Sequence, residues 1–464
     1  MRFCSSLFLS RLSAIRNFLT VIVLGVCSLS STLMAEDLLQ ILSAVQTNDP
    51  AWKASEYAYK SGKQAKGFGR AYILPNLTVS GEHKEVTDKP DCSAGDTLCA
   101  EDDYGATTYQ AQLTQPLFNV ENWRTYKTGR ANAELAEIEY QNAYQNNLYD
   151  TAVLYFDVLR AQENYTLASA EKDALATQLK EIKARAEAGV TNQIEVLETQ
   201  ASHDLASVNQ ITELGYLKVA FEKLVTRTTL QKPTVMALSQ DYPIQHLVPF
   251  DEQIWINKAK ASSNNLKSME QSIEIAKQNY KRSTSAIYPK VDLFATVSDR
   301  EQDGGRFVQD GKSEAIGIRA SVPLFVGLGD FYTAKEQKMK YLQTSEEIEA
   351  QKREFLQIVK NRFRSIYTDV LSAEARKKSL TSSEMALKAV KAQHEIGSRD
   401  MIDVLNAQQQ MFASRREYAN ARYNYLLDSL QLKLFVGELT LEDLKEVNNW
   451  LVVDTNLMNL DTIP

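Results

Sequence analysis

The sequence predicts a mostly α chain with a β-barrel part: four strands per chain, completed by two further copies into a 12-stranded barrel of the outer-membrane type, continuing into a long coiled-coil tube. Three observations predict it. Prolines mark a tandem duplication, each repeat carries one pair of alternating strands, and each has Pro-free helical runs too long for a globular domain.

Pro is nearly excluded from helix interiors and sheet centres, so its positions mark where elements begin and end. Pro75 and Pro116 bracket one segment, and Pro289 and Pro323 bracket another. Gly189 lies 73 residues after Pro116, and Gly397 lies 74 after Pro323. Gln115-Pro116-Leu117-Phe118 parallels Val322-Pro323-Leu324-Phe325, and Glu195-Val196-Leu197 parallels Asp403-Val404-Leu405. The repeat unit is about 210 residues.

Within the bracketed segments the period is two, as in strands with one apolar and one polar face. Leu77, Val79 and Gly81 alternate with Thr78, Ser80 and Glu82, and Tyr109, Ala111 and Leu113 with Gln110, Gln112 and Thr114. In the second repeat Val291, Leu293, Ala295 and Val297 alternate in large part with Asp292, Thr296 and Ser298. Ile316, Ile318, Ala320 and Val322 do so with Gly317, Arg319 and Ser321. Polar tips at Thr87 to Asp103 and Glu301 to Lys312 close the two hairpins, as long external loops do in outer-membrane barrels. Tyr72, Phe118, Tyr288 and Phe325 flank the prolines and are expected to form an interfacial girdle.

The Pro-free runs step by three and four instead: Leu148, Ala152, Tyr155/Phe156, Leu159, and Phe355, Val359, Phe363, Ile366, Val370. A helix from Asn119 to Glu187 would be roughly 100 Å long at ~1.5 Å per residue and must pack on others as a coiled-coil tube. Shorter helices are expected at Glu36 to Ala71 and Asp251 to Ala286. The organisation read from this is a signal segment at 1–35, repeat 1 at 36–230, a linker at 231–250 holding Pro233, Pro243 and Pro249, repeat 2 at 251–437, and a C-terminal segment at 438–464.

Arg2, Arg11 and Arg16 ahead of the apolar run Phe18 to Leu29, with Leu33-Met34-Ala35 before Glu36, read as a secretory signal. Val26 before Cys27 is a poor fit to a lipoprotein signal. Loss of the three arginines takes the net charge from -7 to -10, which argues against a nucleic-acid partner. Cys92 and Cys99 then remain, either as a disulfide closing the loop CSAGDTLC or as two free thiols. His83, His203, His246 and His394 lack ligand spacing, so no metal is expected. No phosphate loop, dinucleotide turn or nucleophile motif points to a cofactor or to catalysis.

Four strands cannot close a barrel, and an open edge in lipid leaves unpaired backbone groups costing several kcal/mol each. Three copies supply 12 strands and a lumen, whereas two supply eight, a number whose interior side chains usually fill. The alternation puts Asp292, Arg319 and Gln112 inward and the aliphatic residues against lipid. A soluble sheet with one wet face would not explain strand pairs spliced between helices of this length.

The run Gly397-Ser398-Arg399-Asp400-Met401-Ile402-Asp403-Val404-Leu405, with Glu417-Tyr418-Ala419-Asn420-Ala421-Arg422-Tyr423-Asn424-Tyr425-Leu426, resembles the second repeat of the TolC family. The resemblance covers essentially the whole mature chain. It implies a homotrimer set in outer-membrane lipid of a Gram-negative bacterium and continuing as a helical tunnel through the periplasm. There it would dock on a periplasmic adaptor (membrane fusion) protein and an inner-membrane transporter, in efflux or type I secretion. It also implies an iris-like gate: Arg399 in the place of the gate arginine, Glu195 in the place of its acceptor aspartate, His394 where the family has a tyrosine, and Ile194 where it has a threonine. Asp403 matches the constricting acid, while Asn406 replaces a second acid one turn on. Gly189, Val190, Gly397 and Ser398 resemble the tips presented to the adaptor. The alternatives are a non-conducting trimeric stalk or adhesin, which would need neither polar inward strands nor two matched turns, and a periplasmic enzyme, for which no polar constellation is found.

Overall fold

The computed structural model describes residues 35–88, 102–230, 233–304, 310–325 and 327–453. The signal segment through residue 34, Cys27, and both Cys92 and Cys99 lie outside the described residues, as do the middle of each hairpin tip and residues 454–464.

In chain order the elements are α1 (Leu38–Asn48), α2 (Pro50–Ala71), β1 (Asn76–Asp88), β2 (Asp102–Phe118), α3 (Val120–Glu187), α4 (Gln193–Thr228), β3 (Ala237–Leu238), α5 (Glu252–Ser262), α6 (Asn264–Ser283), β4 (Lys290–Asp303), β5 (Gly311–Ser321), α7 (Gly329–Glu395), α8 (Met401–Val436), α9 (Leu441–Asn448) and β6 (Leu451–Val452). The short helices ahead of the strands are each broken once. Asp49 caps α2 by accepting from Ala51 N at 2.9 Å, with Pro50 as its first residue. Ser263, at ψ 122°, ends α5 and begins α6.

The chain divides into two compact units. One holds 154–242 with the described parts of 1–44 and 445–464. Its core is the lower half of α3 (Tyr155, Phe156, Leu159, Ala168, Leu175) with α4 (Leu217, Phe221, Leu224) and α1 (Leu38, Ile41), all buried. The linker is not wholly irregular: β3 pairs antiparallel with β6, Ala237 opposite Val452 and Leu238 opposite Leu451. The Tyr155 hydroxyl donates to Glu36 O (3.1 Å) and Met236 O (3.0 Å), and burial raises its pKa above the usual phenol range.

The other unit holds 45–153 and 243–444, and contains the whole sheet with α7 and α8. Its four strands run β1-β2-β4-β5, every pair antiparallel, so the two hairpins join side by side and β1 and β5 are left as edges. The strands hold 13, 17, 14 and 11 residues, and β2 runs through Pro116, where the register shifts between Pro116 and Phe118. At the sheet's lower end side chains satisfy carbonyls that the ladder leaves over: Gln115 Nε2 donates to Ile73 O at 3.1 Å and Asn122 Nδ2 to Tyr72 O at 2.7 Å. Lys290 Nζ meets Glu121 Oε2 at 2.9 Å.

In this unit the α7 stripe Phe355, Val359, Phe363, Ile366, Val370 is buried, as are Val404, Leu405, Phe412, Leu426 and Leu430 of α8. Helices α2 and α3 approach through small residues. A Cβ on Gly129 would stand 2.4 Å from Ala65 O, and one on Gly69 3.1 Å from Thr125 O. Gly129→Val is therefore expected to cost ~1–3 kcal/mol through overpacking. A lower thermal dissociation temperature of the detergent-purified assembly would register that cost, and an unchanged temperature would contradict the close crossing.

Candidate functional site

The β-hairpins separate their chemistry by face. Leu77, Leu113, Ala295 and Ile316 stand in one row across all four strands, and Val79, Ala111 and Val297 in the next, which ends on Glu314 of β5. Thr78, Gln112 and Thr296, then Ser80, Gln110, Ser298 and Ser313, form rows on the opposite face. The apolar side is bare: Val79 is 75% and Ile316 80% exposed. Such a contiguous apolar face cannot remain in water and marks a lipid-facing surface. Asp292, Arg319 and Gln112 all fall on the polar face, with Asp292 directly opposite Arg319. Phe294, on that face, lies over Gly317, where a Cβ would come within 3.0 Å of its ring, and Arg319 sits 4.9 Å from the ring centroid.

Tyr72, Phe118, Tyr288 and Phe325 are exposed where strands meet helices. Sequence reading missed that Phe68, Trp123, Phe331 and Tyr332, on the adjoining helices, are exposed as well. Phe68 packs edge-on against Tyr72 at 5.4 Å, and Phe331 against Tyr332 at 5.4 Å. Aromatics gathered at the end of an apolar strand face are the pattern of a membrane interface.

The two interhelical turns are built alike. Gly189 has φ 72° and Gly397 φ 77°, the left-handed conformation that ends a helix tightly. Val190 N donates to Arg185 O at 2.9 Å, and Ser398 N to Gln393 O at 2.9 Å, so both helices close with the same wide loop. Asn192 then caps α4, its Oδ1 accepting from Glu195 N at 3.0 Å. Gly189, Val190, Gly397 and Ser398 are all solvent-exposed.

Each turn also carries the same side-chain bond, from the residue two after the Gly to the acid six after it. In repeat 1 Thr191 Oγ1 donates to Glu195 Oε2. In repeat 2 Arg399 Nη1 meets Asp403 Oδ2 at 3.3 Å. Arg399 Nε also reaches Gln393 Oε1 at 3.3 Å, and His394 Nδ1 lies 2.9 Å from Arg399 O. Arg399, His394 and Asp403 are thus brought together in one turn, with Asn406 exposed on the next. The Thr191 partner of Glu195 was not anticipated. The signal was present, since the repeat aligns Thr191 with Arg399.

A sheet with one lipid face and one polar face, followed within its unit by α7 and α8, defines an outer-membrane exit duct. The family model described as outer membrane efflux protein matches residues 41–228 and 255–438, and the chain belongs to that family. It is similar to the outer membrane protein TolC of Escherichia coli (strain K12), 26% identical over 95% of this chain and 90% of that protein. The alkaline protease secretion protein AprF of Pseudomonas aeruginosa is 25% identical over 86% of this chain and 84% of its own length. Among solved structures, the Campylobacter jejuni CmeC outer membrane channel superposes with a TM-score of 0.76 at 13% identity, covering 91% of this chain and 90% of that one. The architecture is that of trimeric channels with a barrel and a helical tunnel, and the protein is an outer-membrane protein that extends into the periplasm.

Loss of the repeat 1 cap should loosen that turn alone. Asn192→Ala is expected to cost about 1 kcal/mol of local helix stability, read as faster tryptic cleavage after Arg185. Cleavage unchanged from wild type would show that the cap does not hold the turn.

Proposed function

We propose that three copies of this chain form the passive exit duct of a tripartite efflux pump or type I secretion system, gated at its periplasmic end by Arg399, Glu195, His394, Asp403 and Asn406. The single observation that carries the reading is the division of the four-stranded sheet into a bare apolar face and a polar one, with both outer strands unpaired in the chain. The polar face lines the lumen and catalyses nothing. Cargo is driven by an inner-membrane transporter, and the exposed turns at Gly189-Val190 and Gly397-Ser398 meet a periplasmic adaptor. A relative named for alkaline protease secretion supports the secretion route, and a neighbour named as an outer membrane channel supports conduction.

The family resemblance puts Arg399 in the place of the gate arginine and Glu195 in that of its acceptor, and a guanidinium fork can serve two carboxylates. Three Asp403 carboxylates form a ring that attracts cations. The test is planar-bilayer conductance of the purified trimer.

Arg399→Ser is expected to raise conductance by freeing the lock. An exposed ion pair is worth up to ~1 kcal/mol, so the closed–open equilibrium shifts by up to about fivefold per protomer. Conductance equal to wild type would place the lock elsewhere. Asp403→Ala is expected to weaken block by divalent and trivalent cations, and block at unchanged concentrations would remove the carboxylate ring.

A further inference from the structure

The α7–α8 coil contains a pair of acids that the duct itself does not require. Asp428 of α8 is the ionised partner: Arg362 Nη1 meets its Oδ1 at 2.6 Å, and Ser365 Oγ donates to its Oδ2 at 3.0 Å. Both oxygens are therefore engaged by α7. Asp369 follows Ser365 by one turn, on the same side of α7. It faces the Asp428 carboxylate, and its own Oδ2 is buried without a hydrogen-bond partner. Among the described residues Arg362 is the cation that acts on Asp369, and its bond is already given to Asp428.

Several charged groups on the packed elements have partners of their own. At the start of α5, Glu252 takes Arg364 in two bonds of 2.7 and 3.2 Å, and Lys258 meets Glu438 at 2.9 Å. In the segment ahead of α5, His246 lies on the Tyr367 ring at 5.5 Å. Two carboxyls in contact with one cation between them cannot both ionise cheaply.

We propose that Asp369 and Asp428 form a proton-operated latch between α7 and α8. With the proton bound, Asp369 donates its O–H to the Asp428 carboxylate and ties the helices. With the proton released to solvent, two carboxylates face each other and the tie becomes a repulsion.

Burial, then the Asp428 charge, pushes the Asp369 carboxyl up to about 6, with Arg362 opposing. The folded chain thus holds this proton more tightly than an ordinary Asp. Its stabilisation is full below the ordinary carboxylate range and is lost as pH rises through about 6. The latch stiffens the coil in acid. It rests on contacts within this chain and not on the duct reading.

The experiment is the thermal dissociation temperature of the full-length detergent-purified assembly from about pH 5 to about pH 7.5, spanning the Asp369 titration. Wild type is expected to lose stability in a step near pH 6, and Asp369→Asn, whose amide can still donate to Asp428, to lose that step. A step that persists in Asp369→Asn, or a wild type without one, overturns the latch. Should Asp369→Asn fail to assemble, Asp428→Asn decides. Removing the facing charge is expected to move the step to lower pH, and an unmoved step overturns the proposal. Conductance measured on the same preparations reports the duct independently.

Discussion

Strands β1 and β5 each leave one side of the backbone without a partner, and in hydrocarbon those groups have no water to turn to. Much of the molecule follows from that constraint. The sheet is sound as a four-stranded unit, fully paired between its neighbours, yet it is complete only when further copies supply the missing ladders. Rows such as Leu77, Leu113, Ala295 and Ile316 face lipid at the same register on every strand, so closing the ring places the rows of Thr78, Gln112 and Thr296 and of Ser80, Gln110, Ser298 and Ser313 inside.

The duplication explains the turns. A single ancestral plan, Gly in the left-handed region followed by a donor two residues on and an acid six residues on, appears twice with different chemistry. In repeat 1 the donor is the neutral hydroxyl of Thr191. In repeat 2 it is Arg399, which partly neutralises Asp403 and keeps guanidinium hydrogens in hand. The repeat 1 turn therefore ends on an acid held by a hydroxyl, and the repeat 2 turn on an acid held by a cation.

Stability and sensitivity are divided differently along α7 and α8. The apolar stripe from Phe355 to Val370 provides packing that does not vary with pH. Asp369 and Asp428 sit beside that stripe, where partial burial makes their mutual charge costly. A coil held by aliphatic and aromatic packing tolerates such a pair, because the cost is small against the whole seam.

The sequence by itself determined the elements: Pro75, Pro116, Pro289 and Pro323 mark the strand pairs, period two assigns their faces, and steps of three and four assign the long helices, because these are local properties of the backbone and of side-chain direction. Resemblance pointed to the residues proposed for the gate, and the turn brings Arg399, His394 and Asp403 together. The helix breaks were legible but missed, since Asp49-Pro50 is a capping pair and the polar run at Ser262-Ser263-Asn264 interrupts the period. Only the tertiary structure decided that β2 lies beside β4, that Phe294 covers Gly317, and that Asp369 meets Asp428. Those contacts join residues on different elements, and which faces meet is set by the packing of whole helices and strands, a property that no local pattern carries.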